Sequence, residues 1–384
     1  MRDQAATELR RIAINVGGGY VPGLNAVAAG AVMAARKLDL EVVAIRDGYE
    51  GALFRNHYSD GGIAALDVGM IDGLMDIVHV GTSRLNPFSV RTDTDGFIEE
   101  RDRSDDVLAT LKSEGIDAVI SVAGRQPMSI VWKLACKGLR SICVPVSVEN
   151  DMAATNLAFG YISTLDSAIE LLVRIRRAAL VERRIAVVEV LGHHSGFLAL
   201  QAGIAALADA ILLPEIRYAP AKVAQHLTAD RGRPALLVVA EGARPLVDGT
   251  APDNGLESTR RALSPGSSAE DTAGGRRVIE RSGAASSAVA DCLQRTIRME
   301  CSPLVLDQLL RANQLSAVDR QIGLAYGAAA VRGLIEGYSG TMVAFKPPHI
   351  EYVRMAEAIS AIRTVPPDSD LVVTARSLGI SLGD

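Results

Sequence analysis

The chain has 384 residues, of which 48% are hydrophobic, 22% charged and 4% aromatic, with a net charge of −5 at pH 7. Such a length exceeds one typical domain and the composition is that of a soluble globular protein with an aliphatic core, so two lobes are expected. The negative charge excludes a general nucleic-acid binder, and no apolar run reaches the ~18 residues of a membrane span. The opening MRDQAATELRR has no apolar segment, so no signal peptide is expected. Cys136, Cys143, Cys292 and Cys301 form no CxxC pair and read as reduced thiols of a cytoplasmic protein.

In chain order, RIAINVGGG reads as a strand ending in glycines, and LNAVAAGAVMAARKL as a helix with basic residues at its end. LEVVAIRDG, GIDAVISVAG and RSICVPVS are further strands, followed by the long helix FGYISTLDSAIELLVRIRRAALVER. RIAVVEVLG, DAILLPE and PALLVVAEGA continue the series. This alternation predicts an α/β fold of parallel sheets flanked by helices, with ligands at the strand-end loops. Residues 246–286 are rich in Gly, Ser and charge and read as a long, mobile surface loop.

The first strand end, GGGYVPGLN, suits either a phosphate held at a helix start or a plain tight turn. It matches neither GxGxxG nor GxxxxGK[ST], which argues against a dinucleotide site or a Walker loop. A nicotinamide-dependent dehydrogenase rests on this turn alone, and EVVAIRDG supplies no ribose-binding acid at a standard spacing. VPVSVEND ends another strand with Glu149 and Asp151, two carboxylates fit for chemistry or for ordinary loop polarity.

Taken together, GG-x-x-PGLN, VGTSR, VPVSVEND, RRIAVVEVLGHHSG, LLPE and VVAEGA resemble the 6-phosphofructokinase family through most of residues 11–345. The most specific piece is VVEVLGHHSG. The resemblance implies two Rossmann-like lobes with the active site in the cleft between them, assembled as dimers or tetramers. It further implies transfer of a phosphoryl group from ATP or pyrophosphate, with Mg2+, to the 1-hydroxyl of fructose 6-phosphate, a reaction of glycolysis. The implied donor-side lobe covers 8–155 and about 316–345. The implied sugar-phosphate lobe covers 156–315 and about 346–384.

Residue by residue, the family's TIDND motif falls on Ser147-Val148-Glu149-Asn150-Asp151. Glu149 stands where the catalytic Asp is expected, one methylene longer, and a displacement of about an ångström can cost ~100-fold in rate. Asp151 keeps the second acid and Ser147 a hydroxyl. Gly18, Gly19, Gly124 and Arg84 fall on donor-phosphate positions. Arg184 matches an arginine that reaches the 6-phosphate from a neighbouring subunit, and a guanidinium fork suits that dianion. Leu191, Gly192, His193, Glu241, Gln308 and Arg311 fall on substrate positions, although Leu191 and His193 depart from the family's MGR and Gln308 replaces its His. His194 matches a family His. Arg298 lies near enough to stand in for a missing arginine, and Glu215 matches an effector-metal position or is a plain strand-end acid.

The donor side departs most. The family's GGDGS loop falls on Ala123 to Pro127, so its metal-binding Asp becomes Arg125, which repels Mg2+ and removes its ligand. Pro127 deletes a backbone donor. Val146 occupies the place of the lysine that marks pyrophosphate users. Two readings follow. One is a divergent phosphotransferase with Glu149 as base and Arg125 as a fixed cation. The other is a catalytically silent subunit that binds a sugar phosphate or another anion, as a homo-oligomer or beside an active paralogue. No protein-held metal site is expected, and ATP or pyrophosphate with Mg2+ serves only the first reading.

Overall fold

The structure is a computed structural model whose described residues are 9–19, 23–66, 80–94, 97–229, 233–246, 283–311 and 314–384. The chain divides into two compact units, Met1–Ser167 with Gln308–Thr364, and Ala168–Asp307 with Val365–Asp384. No helix among the described residues is long and apolar enough to cross a membrane.

The first unit is built on a seven-stranded sheet. Its strands are β1 (Arg11–Gly17), β2 (Glu41–Ile45), β3 (Ile63–Ala65), β6 (Ala118–Ala123), β7 (Ser141–Pro145), β12 (Thr341–Lys346) and β13 (His349–Arg354). Their spatial order is β13-β12-β7-β6-β1-β2-β3. The centre is parallel, and each of its strands is an almost unbroken apolar run, as burial on both faces requires. The edges are antiparallel, which alternation with helices did not predict: β3 returns on β2, and β13 returns on β12. β4 (Val90–Thr94) and β5 (Phe97–Arg101) form a separate hairpin.

Helices Leu24–Arg36 and Ala317–Ile335 pack with almost no side chain between them. A Cβ on Gly30 would stand 2.2 Å from the Leu324 carbonyl oxygen, and one on Gly327 2.1 Å from that of Val27. Buried Asp319, in the first turn of the second helix, accepts from Gly160 N–H at 3.1 Å, Ser163 N–H at 2.6 Å and Ser163 O–H at 2.7 Å. It thus satisfies the start of helix Tyr161–Glu182, which would otherwise leave orphan donors. Burial pushes the Asp319 carboxyl above its ordinary pKa.

The second unit holds β8 (Ile185–Val190), β9 (Ala210–Leu212), β10 (Ala235–Ala240) and β11 (Cys301–Val305), all parallel in the order β11-β8-β10-β9. Pro303 is tolerated in β11 because β11 is an edge strand. Glu189, buried on β8, accepts from Gly283 N–H at 2.6 Å and Ser286 N–H at 2.8 Å, and so caps helix Ala284–Thr296. That helix begins inside the range read as loop, and of 246–286 the stretch 247–282 lies outside the described residues. The first unit runs on past β13, which pairing with β12 holds in the first sheet, to Thr364.

Candidate functional site

In the first unit, β1 runs through helix Leu24–Arg36 to β2 on one side, while β6 flanks it on the other. The chain reverses direction across the sheet between β1 and β6, the place where open α/β sheets receive ligands. Register sets Gly17 level with Ala123, and Ala123 level with Pro145, so three strand ends open side by side.

At the end of β1, Gly18 takes a left-handed φ of 115°. Its N–H donates to the Ser83 carbonyl at 2.9 Å, and Thr82 Oγ1 donates to the Gly18 carbonyl at 2.7 Å. The Gly81–Arg84 segment is thereby laid against the glycine turn. Ser83 Oγ donates in turn to Glu50 and accepts from Leu85 N–H at 3.0 Å. Glu50, which the sequence reading passed over, is therefore a support for the segment that carries Arg84. An added Cβ on Gly19 would lie 3.7 Å from Arg311 Nη1 and 3.8 Å from Arg84 Nη2. Arg311, expected among sugar-phosphate residues, thus shares one glycine with Arg84, expected among donor-phosphate residues.

At the end of β6, Gly124 precedes helix Arg125–Cys136, of which Arg125 is the first residue. Proline is accepted in a first turn, where the N–H has no intrahelical partner. The Pro127 ring lies against the glycines: its Cβ is 2.9 Å from where a Cβ on Gly17 would stand. The helix start at Arg125, Gln126 and Pro127 offers no carboxylate.

At the end of β7, Ser147 organises the acid loop. Its hydroxyl donates to Asp151 and accepts from Glu149 N–H at 3.1 Å. Asn150, between the acids, is left-handed at φ 55° and 4% exposed. Its side chain accepts from Ala158 N–H at 2.9 Å and donates to the Asn156 carbonyl at 3.3 Å. From the other end of the unit, Arg363 N–H donates to the Asp151 carbonyl at 2.8 Å and Arg363 Nη1 to the Asn150 carbonyl at 3.3 Å. Burial holds the Arg363 guanidinium below its usual pKa.

In the second unit, β8 and β10 end together, with Val190 level with Ala240. Glu241 N–H donates to the Val190 carbonyl at 3.1 Å and Gly242 N–H to the Gly192 carbonyl at 3.0 Å. A Cβ on Gly242 would be 1.9 Å from the His193 carbonyl oxygen, so the two strand ends press backbone on backbone. This gathers Leu191, Gly192, His193 and Glu241, although Leu191 is itself buried. His193 and His194 meet edge to face with ring centroids 4.4 Å apart. Gln308 and Arg311 belong to the first unit.

Arg184 lies elsewhere. It precedes β8, while His193 follows it, so the two sit at opposite ends of a strand about 20 Å long. There Arg184 pairs with Glu182 at 2.7 Å and reaches Ser302 Oγ at 3.3 Å. Arg298, just before β11, shares that end of the sheet. Glu215 Oε1 accepts from Gly196 N–H at 2.9 Å and Val365 N–H at 2.8 Å, a backbone anchor of the strand-end kind.

A doubly wound α/β unit with a glycine turn and arginines at its switch point defines a class of protein built to present ligands at parallel strand ends. The phosphofructokinase family model matches residues 11–334. The chain is 33% identical over 384 residues to the ATP-dependent 6-phosphofructokinase of Chloroflexus aurantiacus, covering 99% of both chains. It is 30% identical over 361 residues to the pyrophosphate–fructose 6-phosphate 1-phosphotransferase of Amycolatopsis methanolica, covering 93% of this chain and 97% of that one. Its fold matches Pichia pastoris phosphofructokinase in the T-state with a TM-score of 0.71 at 23% identity, over 93% of this chain and 36% of that longer one. The chain belongs to the phosphofructokinase family.

Proposed function

We propose that the chain is a phosphotransferase acting on a sugar phosphate of the fructose 6-phosphate class, with a phosphate-donor site altered from the metal-dependent form. The observation that carries this reading is the grouping of the Gly18–Gly19 turn, Arg84 and Arg311 beside strand ends level with the Glu149–Asp151 loop. The two relatives support the acceptor, since both are named for fructose 6-phosphate chemistry, one with ATP and one with pyrophosphate. Glu149 takes the hydroxyl proton, with Asp151 and Ser147 shaping its loop. Gly18, Gly19, Gly124 and Arg84 receive the donor phosphates. Leu191, Gly192, His193 and Glu241, all of the second unit, contact the sugar phosphate. Arg184, at the far end of β8, serves the site of a neighbouring copy in a homo-oligomer.

Mg2+ does not fit the end of β6. Arg125 brings a positive charge there, and the helix start at Arg125, Gln126 and Pro127 supplies no carboxylate to hold the ion. Activity with ATP and Mg2+ is therefore expected to be weak. The same substitution favours a second reading, a silent subunit that binds the sugar phosphate without transferring a phosphoryl group. A coupled assay with fructose 6-phosphate and either ATP or pyrophosphate tests both. Turnover in the range of ~1–100 per second with either donor and Mg2+ refutes an impaired donor site. No turnover, with calorimetric binding of fructose 6-phosphate retained, supports the silent subunit. A panel of free and phosphorylated sugars then defines the acceptor.

A further inference from the structure

Two guanidinium groups come to one glycine at the switch point of the first unit. Arg84 arrives on the segment pinned to Gly18 by two hydrogen bonds, and Arg311 follows the short 3-10 helix Asp307–Leu310. Arg311 Nη1 and Arg84 Nη2 both lie within 4 Å of the point where a Cβ on Gly19 would stand. Nitrogens so spaced can each donate to a different oxygen of one phosphate group, with charge-assisted N–H···O bonds of ~2.7–2.9 Å. Gly19 leaves that point open, since it has no side chain to fill it. The adjoining strand end adds Arg125, and the acids Glu149 and Asp151 follow the strand beyond it.

We propose that this site holds a phosphate or diphosphate anion between Arg84 and Arg311 without a divalent cation, so that fixed guanidinium charge takes the place of Mg2+. The inference rests on the phosphotransferase reading for the identity of the site and goes beyond it in two respects. It moves Arg311 from the sugar-phosphate side to the donor side, and it removes the metal from donor binding. The chemistry follows from charge. A free diphosphate carries more negative charge than its magnesium complex, so a metal-free arginine site prefers the free anion. A site that needs metal to bridge donor oxygens to a carboxylate has the opposite preference.

Calorimetry with inorganic pyrophosphate tests this, once in EDTA and once with Mg2+ in excess. Binding in EDTA at equal or greater affinity than with Mg2+ supports the proposal. Binding only with Mg2+, or none under either condition, overturns it. The location is tested by Arg311→Ala and Arg84→Ala, each expected to weaken pyrophosphate at least ~10-fold, with partial recovery in Arg311→Lys. Unchanged pyrophosphate affinity in Arg311→Ala overturns the assignment of that residue. Gly19→Ala gives a further check, because its Cβ fits the protein at ordinary contact distance and fills the space for the anion. It should retain the wild-type Tm and lose pyrophosphate binding, and retained binding counts against the site. Fructose 6-phosphate is titrated into the same proteins. In the wild type, fructose 6-phosphate binding without pyrophosphate binding refutes this inference alone, whereas absence of both removes the phosphotransferase reading. In the variants, loss of pyrophosphate with fructose 6-phosphate retained is the expected result.

Discussion

Asn150 should be the residue on which the shape of the acid loop depends, and replacing it separates backbone strain from hydrogen bonding. In Asn150→Ala the Ala158 N–H loses its acceptor in a buried setting, at a cost of about 1–3 kcal/mol. Alanine must also take the left-handed φ of 55°, which adds about 1–2 kcal/mol. The sum is about 2–5 kcal/mol. Asn150→Gly removes the hydrogen bonds and not the conformational freedom, so it should cost only the first part, about 1–3 kcal/mol. Asn150→Asp keeps an acceptor for Ala158 N–H but turns a second oxygen onto the Asn156 carbonyl and buries a carboxylate between Glu149 and Asp151, so it should cost more than Asn150→Gly. Urea unfolding followed by circular dichroism measures all three, and the glycine variant should lose least. An alanine variant within about 0.5 kcal/mol of wild type, or one more stable than the glycine variant, refutes the account. Because the loop bears Glu149 and Asp151, any turnover found with the wild type should fall further in Asn150→Ala than its loss of folded protein explains.

Gly327→Ala forces a Cβ to within 2.1 Å of the Val27 carbonyl oxygen and should cost about 1–3 kcal/mol or more, visible as a lowered Tm. Glu189→Ala leaves Gly283 and Ser286 N–H without their acceptor, so a loss of about 2–5 kcal/mol is expected, with Glu189→Gln recovering part of it. Proteolysis near residue 283 should quicken in the alanine variant, and an unchanged rate counts against the cap. Arg184→Ala should weaken fructose 6-phosphate, through the site of a neighbouring copy, and leave pyrophosphate affinity unaltered. Equal loss of both ligands in calorimetry contradicts that separation.

The strands legible in the sequence, among them RIAINV, VVAI, AVISVA, RIAVVEV and ALLVVA, are continuous apolar runs buried on both faces, although the equally buried start of β12, TMVA, is not among them. β3 and β13 were not legible. Both are antiparallel edge strands, and β13 alternates polar and apolar residues in HIEYVR. β11 was hidden by Pro303, and helix Ala284–Thr296 by its polar, Ser-rich start. Residue types at strand ends could be read as site candidates because parallel sheets place ligands there. What supports them could not. Glu50 meets Ser83 across 33 residues of chain, and Arg363 meets Asn150 across 213. Neither contact leaves a local pattern. Gly19 was singled out for its glycine character, but that Arg84 and Arg311 converge on it is a fact of tertiary structure alone.

The ring of Pro127 against β1 bears on how this chain can change over time. Gly17 does not have a left-handed φ, so its own backbone would accept a side chain; the Pro127 Cβ 2.9 Å away is what forbids one. The two positions are therefore coupled: the obstructing atom is the Cβ that every residue but glycine carries, so a side chain is admitted at 17 only where 127 becomes glycine or its backbone shifts. Exchange of Arg125 for Asp would restore a carboxylate at the end of β6 yet leave the ring seated on the glycines.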